Sequence, residues 1–185
     1  MMKFYRYCLL ITATVTANCA IAQIPVALFQ GFNTSGCAPL SVTFIDSSFN
    51  APLGWLWDFG DGNTSNLQHP VHVYTSAGSY TVSLTASNMS GSDMFTAPNF
   101  VTVSAMISIN AGADQLSCGM NPVCLNGLIT GGSSTGQWTT LGTGAFTPND
   151  SDLSACYVPS AVDTASGFVT LVLTSTNNGL CAAVT

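Results

Sequence analysis

The sequence predicts an all-β protein with two tandem β-sandwich domains that follow a signal peptide. After residue 22 the chain contains no Lys, Arg or Glu, so most strong helix formers are missing and Thr, Val, Ser, Gly and Asn dominate. Apolar and polar residues alternate strictly from Tyr80 to Ser87, as in a half-buried strand. Similar short runs, separated by Gly, Asn and Pro turn signals, continue to the end of the chain.

The first element is a secretory signal peptide over residues 1–22. Two basic residues precede an apolar stretch from Tyr7 to Ala17, and the small-x-small triplet Ala20-Ile21-Ala22 stands before Gln23. The apolar stretch is far shorter than the ~20 residues that a membrane span needs. We therefore expect cleavage after Ala22, a secreted or cell-surface location, and no membrane insertion of the remainder. Lipidation at Cys19 is the alternative, although the residues before it fit a lipobox poorly.

Charge restricts the partners of the remaining chain. Lys3 and Arg6 are the only Lys or Arg residues, all eight acids are Asp, and the formal net charge is −6 at pH 7. Binding to nucleic acid depends on cationic side chains that neutralise phosphates, and binding to anionic membrane surfaces depends on the same charges. Both partners are therefore excluded for residues 23–185.

One motif identifies the first domain. The hexapeptide Trp57-Asp58-Phe59-Gly60-Asp61-Gly62 is followed by Tyr74 and then by Gly78-Ser79-Tyr80-Thr81-Val82. This series resembles a PKD (polycystic kidney disease) domain, which is an immunoglobulin-like β-sandwich of surface and secreted proteins. The resemblance implies a domain over residues 23–104. It also implies structural roles for Trp57, Asp58, Phe59, Gly60, Asp61, Gly62, Tyr74, Gly78 and Tyr80.

The second domain is expected over residues 105–185. A new alternating run opens at Met106-Ile107-Ser108-Ile109, and the order of the segments after it resembles a repeat of very large cell-surface proteins of gliding Gram-negative bacteria. The resemblance implies a second immunoglobulin-like sandwich whose closing strand lies beyond residue 185. The run Val169–Thr176 is read as a strand. Phe168 and Val172 then lie on its outer face, where they could contact a neighbouring module.

Five cysteines remain after removal of the signal peptide. In an oxidising compartment four of them can form two bridges, and one is left over. The repeat resemblance implies a bridge between Cys118 and Cys181, which leaves Cys124 and Cys156 to pair with each other. The PKD resemblance implies that Cys37 is a free or intermolecular thiol.

Several motifs that could suggest chemistry have more ordinary explanations. Gly132-Ser133-Ser134-Thr135-Gly136 matches a nucleophile elbow, but no helix is expected after it and both histidines precede it. His69 and His72 could form a metal pair, but Pro70 and the extended context turn them to opposite faces. We expect structural or surface histidines.

Three further side chains leave alternatives open. Asp58 and Asp61 could form an acid/base pair or a calcium site, but two carboxylates around a turn more often accept hydrogen bonds from local backbone N–H groups. Residues 47–54 lack the acids that some PKD domains use for calcium, so no cofactor is expected. Trp55 alternates with Trp57 and is expected to pack at the core edge, with sugar stacking as the alternative.

These observations predict a non-catalytic extracellular or cell-surface module for adhesion or structure. Its expected partners are proteins or polysaccharides at the cell surface and neighbouring β-sandwich modules. The alternative is an accessory, PKD-bearing segment of a secreted protease or glycoside hydrolase whose catalytic domain lies elsewhere.

Overall fold

The computed structural model describes residues 23–185, so the expected signal peptide lies outside the described part of the chain. These residues form fifteen strands and one short helix. In chain order, the strands of residues 23–104 are β1 (Phe29–Phe32), β2 (Ser35–Cys37), β3 (Leu40–Asp46), β4 (Gly54–Asp58), β5 (Thr64–Ser65), β6 (Val71–Tyr74), β7 (Gly78–Asn88) and β8 (Gly91–Ser104). Those that follow are β9 (Ser108–Asn110), β10 (Val123–Cys124), β11 (Leu128–Thr130), β12 (Thr135–Thr140), β13 (Ala145–Thr147), β14 (Cys156–Val158), α1 (Ala161–Ser166) and β15 (Leu171–Thr176).

Residues 23–104 form a sandwich of two sheets. One sheet has the order β1-β3-β6, and the other has the order β2-β8-β7-β4-β5. All pairs are antiparallel except β2 with β8, which runs parallel. This parallel pairing places Cys37 opposite Ser104, at the end of the first sandwich and just before residues 105–185 begin.

The core of this sandwich is aromatic. The buried side chains of Phe29, Phe44, Trp57 and Phe59 come from both sheets and contact one another at ring centroid separations of 5.2–6.5 Å. Strand β7 adds Val82 and other apolar side chains from every second position to the same core, as the alternating sequence of the strand predicts. Large, interlocking rings of this kind bury much apolar area and tie the sheets together.

Residues 105–185 form a second β unit of smaller sheets. These have the orders β9-β11, β12-β15 and β10-β14-β13. A separate buried cluster lies between them, built around Trp138 and Leu173 with Ile107, Leu125, Ile129 and Ala155. Trp138 contributes its ring to the core, and its indole N–H donates to the carbonyl of Leu153 at 3.3 Å.

The all-β fold class is confirmed for residues 23–185, with one short helix that was not expected. Helix α1 forms because Ser160 caps it through hydrogen bonds from the backbone N–H groups of Val162 and Asp163, and because Asp163 completes a capping box. Gly167, with φ of +82°, ends the helix in the left-handed conformation. The chain then becomes strand only at Leu171, so the expected strand start at Val169 is also wrong.

The disulfides differ from the expected set. Cys124 and Cys156 are bonded, as expected, and lie opposite each other on the neighbouring strands β10 and β14. The expected Cys118–Cys181 bridge and the expected free Cys37 are wrong. Cys37 is bonded to Cys181, and Cys118 is free and exposed.

Topology explains this pairing. The parallel pairing of β2 with the end of β8 brings Cys37 beside the linker, where its Sγ lies 3.5 Å from the carbonyl oxygen of Ala105. The turn after β15 returns Cys181 to the same carbonyl, at 3.4 Å. Cys118 instead lies on the exposed loop before β10. The bridge therefore joins the two halves of the chain.

Among residues 23–185, no helix is long and apolar enough to cross a membrane. Helix α1, the one helix of this part, has 6 residues.

We predict that the double substitution Cys37→Ser/Cys181→Ser lowers the free energy of unfolding by up to about 5 kcal/mol, because it opens a covalent loop with a sequence separation of 144. Urea unfolding followed by tryptophan fluorescence measures the loss. Cys118→Ser is the matched control and should leave the unfolding curve unchanged. Among the cysteines of residues 23–185, alkylation of the native protein followed by chymotryptic mapping should label Cys118 alone; label on Cys37 would contradict the pairing.

Candidate functional site

The signature turn after β4 is held by its own side chains. The Trp57 ring is fully buried and its indole N–H donates to the Leu67 carbonyl at 2.8 Å. Asp58 Oδ1 accepts from the backbone N–H of Gly60 at 2.8 Å, which is an Asx turn. Gly60 has a φ of +78°, and a Cβ there would strike the backbone of Thr81, so only glycine fits.

Asp61 links this turn to β6. Its Oδ2 lies 2.7 Å from His72 Nε2, and its Oδ1 accepts from the Asn63 backbone N–H at 3.1 Å. The His72 ring stacks on Phe59 with centroids 4.2 Å apart. Partial burial opposes ionisation of Asp61, but the hydrogen bonds from His72 and Asn63 outweigh it and lower the pKa of the carboxyl.

Two tyrosines fasten the strands beside the turn. The buried Tyr74 donates its hydroxyl hydrogen to the Phe59 carbonyl at 3.0 Å, and burial raises the pKa of that hydroxyl. Tyr80 donates to the Ser76 carbonyl, four residues upstream, at 2.7 Å. A side chain at Gly78 would contact the Tyr80 ring, so glycine leaves room for it. The motif residues thus lie in one connected network at this end of the sandwich.

Trp55 lies against the core of the first sandwich. It is partly buried, and its indole N–H donates to Asp46 Oδ2 at 2.8 Å. Partial burial opposes ionisation of Asp46, but hydrogen bonds from Ser48, Gln68 and Trp55 lower the pKa of its carboxyl. The ring is therefore placed for packing, as the alternation of β4 suggests, rather than as an open platform for a sugar.

The two histidines do not meet. His69 Nδ1 accepts a hydrogen bond from the Asp46 backbone N–H at 3.1 Å, whereas His72 pairs with Asp61. Within residues 23–185, no group of three or more His, Cys, Asp or Glu side chains is arranged to hold a metal ion.

The elbow-like segment Gly132–Gly136 spans the end of the turn after β11 and the first two residues of β12, so a strand and not a helix follows it. Ser133 is nearly buried, and its hydroxyl donates to the Thr176 carbonyl. Ser134 is exposed at the turn. Neither serine has a histidine neighbour, because both histidines lie in the first sandwich.

A polar network missed at the sequence level lies in the second unit. Asp163 is only 6% exposed, and its carboxylate accepts from the backbone N–H groups of Ser160 and Thr143 at 2.9 and 2.8 Å. The Tyr157 hydroxyl also donates to it at 2.8 Å. The backbone bonds from Ser160 and Thr143 hold the pKa of this carboxyl well below its usual range. The Ser160-x-x-Asp163 spacing of a capping box was the signal that could have revealed it.

Phe168 and Val172 do not share an outer strand face. Phe168 precedes β15 and is 77% exposed, whereas Val172 lies within the strand and is partly buried. Phe168 borders a cleft of about 700 Å³ between the loop of residues 111–119 and the segment of residues 167–171.

Residues 23–103 match the family model described as "PKD domain". They also form the sandwich on which the signature turn, Tyr74 and Tyr80 are connected. These residues are a PKD domain. The finding corresponds to the first expected domain, whereas the likeness of residues 105–185 to a gliding-bacterial repeat stays a prediction.

Relatives of the PKD domain come from proteolytic enzymes. A "Microbial collagenase" of Vibrio alginolyticus is 36% identical over 106 residues, which are 54% of this chain and 12% of the relative. The "Pre-pro-metalloprotease PrtV" of Vibrio cholerae is 39% identical over 67 residues, or 36% of this chain and 7% of the relative. The solved PKD1 domain of Vibrio anguillarum Epp is 35% identical, covers 44% of this chain and 98% of its own, and has a TM-score of 0.39. The chain thus spans a small part of its curated relatives.

We predict that Asp61→Asn lowers the stability of the PKD domain by about 1 kcal/mol at pH 7, because the hydrogen bonds to the carboxylate weaken. The folded-state pKa of Asp61 is lowered, so its contribution is complete above the ordinary Asp pKa and is lost as the pH falls through the folded value. Chemical unfolding between pH 2 and 8 should show the two curves converging on the acid side. Asp114→Asn, at an exposed position, is the control. A deficit that stays constant with pH would contradict the assignment.

We predict that Asp163→Asn destabilises the second unit, because one carboxylate oxygen becomes an NH₂ group facing the donors that it formerly accepted. The melting temperature of the second unit, followed through Trp138, should fall while that of the PKD domain stays unchanged. Tyr157→Phe removes one donor to the carboxylate and leaves the Gly144 N–H, which the hydroxyl accepted at 2.9 Å, without that acceptor, so it should also lower this melting temperature. An unchanged melting temperature in Asp163→Asn would contradict the network.

Proposed function

We propose that this chain is a non-catalytic module that works outside the cell, where it binds a polymer or protein and holds its neighbours at a set spacing. Its PKD domain and second unit would act together as one adhesive or structural segment. The single observation that carries this proposal is the covalent bridge between the two halves at their junction.

The junction is short and enclosed. β8 ends at Ser104 and β9 begins at Ser108, and the Cys37–Cys181 bridge contacts the intervening Ala105 carbonyl. Close to the bridge, a Cβ at Gly131 or Gly132 would strike the backbone of Met106 or Ala105, so these glycines allow close packing. A linker that is packed and bridged in this way resists the bending that is usual between domains of one chain. This property suits a spacer.

Polar groups that could perform chemistry are engaged in holding the fold. Asp58 and Asp61 accept turn hydrogen bonds, His72 pairs with Asp61, and Ser133 donates to a strand carbonyl. A nucleophile needs a base within hydrogen-bond reach, and the serines of the elbow-like segment have no histidine beside them. These arrangements support a non-catalytic role.

Two features support an extracellular setting. Both disulfides are of the kind that persists in oxidising compartments. The expected signal peptide at residues 1–22 supplies a route for export. The absence of Lys and Arg after residue 22 also leaves trypsin-like proteases no site to cut.

A second candidate setting is an accessory segment of a secreted protease. The names of the matched collagenase and metalloprotease favour it, because the PKD domain is the part of those proteins to which this chain is similar. The neighbouring coding sequence separates the two settings. Further sandwich repeats with a sorting domain support an adhesin, and a zinc or carboxylate catalytic domain supports the accessory segment.

The function is tested with purified residues 23–185. We expect retention on at least one insoluble polymer among collagen, cellulose and chitin in a sedimentation assay, with no turnover of casein, gelatin or chromogenic glycans. Bovine serum albumin is the control for unspecific retention. Turnover that is lost in Ser134→Ala or Asp58→Asn would contradict the proposal, as would failure to sediment with all three polymers.

A further inference from the structure

The cleft in the second unit has the size of a small-molecule site. It measures about 700 Å³ and lies between the loop of residues 111–119 and the segment of residues 167–171. Small-molecule sites in proteins typically occupy ~300–1,000 Å³. The core side chains of Leu125, Trp138 and Tyr157 border its base, so the cleft rests on the rigid part of this unit.

The rim carries the apolar side chains that the fold leaves unburied. Residues 105–185 contain four aromatic side chains, and three of them, Trp138, Phe146 and Tyr157, are buried or packed against the core. The fourth, Phe168, is 77% exposed and borders the cleft. Leu116 is fully exposed on the opposite rim. Exposed apolar groups that line one concave site indicate a contact surface.

The backbone at Phe168 is held by neighbouring residues. Helix α1 is anchored through the buried carboxylate of Asp163, and Gly167 turns the chain out of the helix. The Ser166 hydroxyl, which lies 2.9 Å from the Asp163 carbonyl, is also within 3.3 Å of the Phe168 carbonyl. A backbone held in this way loses little conformational entropy when a ligand covers the ring.

The polar groups of the cleft are neutral or acidic. Asp114, Ser117, Thr164 and Thr170 line it, and Gln115 is oriented by a 3.0 Å hydrogen bond from its side-chain amide to the Cys124 carbonyl. Residues 23–185 contain no Lys or Arg, and both histidines lie in the PKD domain. A sulfated or carboxylated ligand would therefore find no counter-charge here.

Asp163 adds no second free carboxylate to the cleft, because its oxygens already accept from Thr143, Ser160 and Tyr157. The Thr170 carbonyl is likewise engaged, by the backbone N–H of Leu141 at 3.0 Å. These facts disfavour a strongly basic peptide and the addition of a peptide strand at this residue. An aromatic ring with one carboxylate, an amide and hydroxyls matches a ligand that presents C–H faces and many hydroxyl groups.

We propose that this cleft binds a neutral oligosaccharide, with Phe168 stacking against a sugar ring and Asp114 accepting hydrogen bonds from sugar hydroxyls. The proposal rests on the binding role given under Proposed function and names its ligand class and site. It assigns recognition to the second unit, beside the fixed junction, and not to the aromatic residues of the PKD signature.

Calorimetric titration of residues 23–185 with cellohexaose, laminarihexaose, mannohexaose and chitohexaose tests the proposal. At least one should bind, and Phe168→Ala should weaken that affinity roughly tenfold or more, through loss of the apolar contact. Asp114→Asn should weaken it less. The matched controls are Leu141→Ala, which removes an exposed apolar side chain of the same unit that does not line the cleft, and Phe49→Ala, which removes an exposed ring of the PKD domain. The bound glycan should shift the amide resonances of Gly112 and Gly119.

Absence of binding to all four glycans would overturn the inference, as would equal affinity of Phe168→Ala and Leu141→Ala. The inference would also fail if an alginate oligomer or a Lys-rich decapeptide bound at Phe168 more tightly than any of the four glycans. The unsubstituted protein could bind no glycan while the Phe168→Ala variant is still retained on insoluble collagen. That result would contradict this site but not the proposed adhesive function.

Discussion

The covalent connection between Cys37 and Cys181 is the constraint on which the arrangement of this protein depends. Each half has its own buried cluster, but the linker at Ala105 contacts the bridge and packs closely against two glycines, Gly131 and Gly132. A bridge between distant parts of the chain mainly reduces the freedom of the unfolded state. Here it also joins two units that would otherwise be connected by three residues.

Within the PKD domain, stability comes from a connected set of aromatic and polar contacts. Phe59 exemplifies this, because its ring contacts Phe44 and His72 while its carbonyl accepts from Tyr74. The carboxylates of the signature turn therefore accept hydrogen bonds that hold the backbone, and in Asp61 such bonds outweigh burial and lower the pKa. The open cleft beside Phe168 in the second unit is the contrasting feature, since its rim side chains have no such role in packing.

Local patterns predicted the β architecture and the PKD domain well, because alternation and turn chemistry act over a few residues. The pairing of Cys124 with Cys156 was predicted correctly, but by elimination from a Cys118–Cys181 bridge that does not form. The partner of Cys181 could not be read from spacing, since the parallel contact of β2 with β8 is a long-range feature of the sheet. Helix α1 was not predicted, because the cap residues Ser160 and Asp163 indicate it and the composition of the helix does not.

The central claim is that the PKD domain and the second unit behave as one rigid body through their bridged junction. Residual dipolar couplings of backbone amides, measured separately for residues 23–104 and 108–185 in one alignment medium, test it directly. The account predicts a single alignment tensor that fits both sets in the oxidised protein. Two tensors of different magnitude, measured with the Cys37–Cys181 bridge intact, would contradict it.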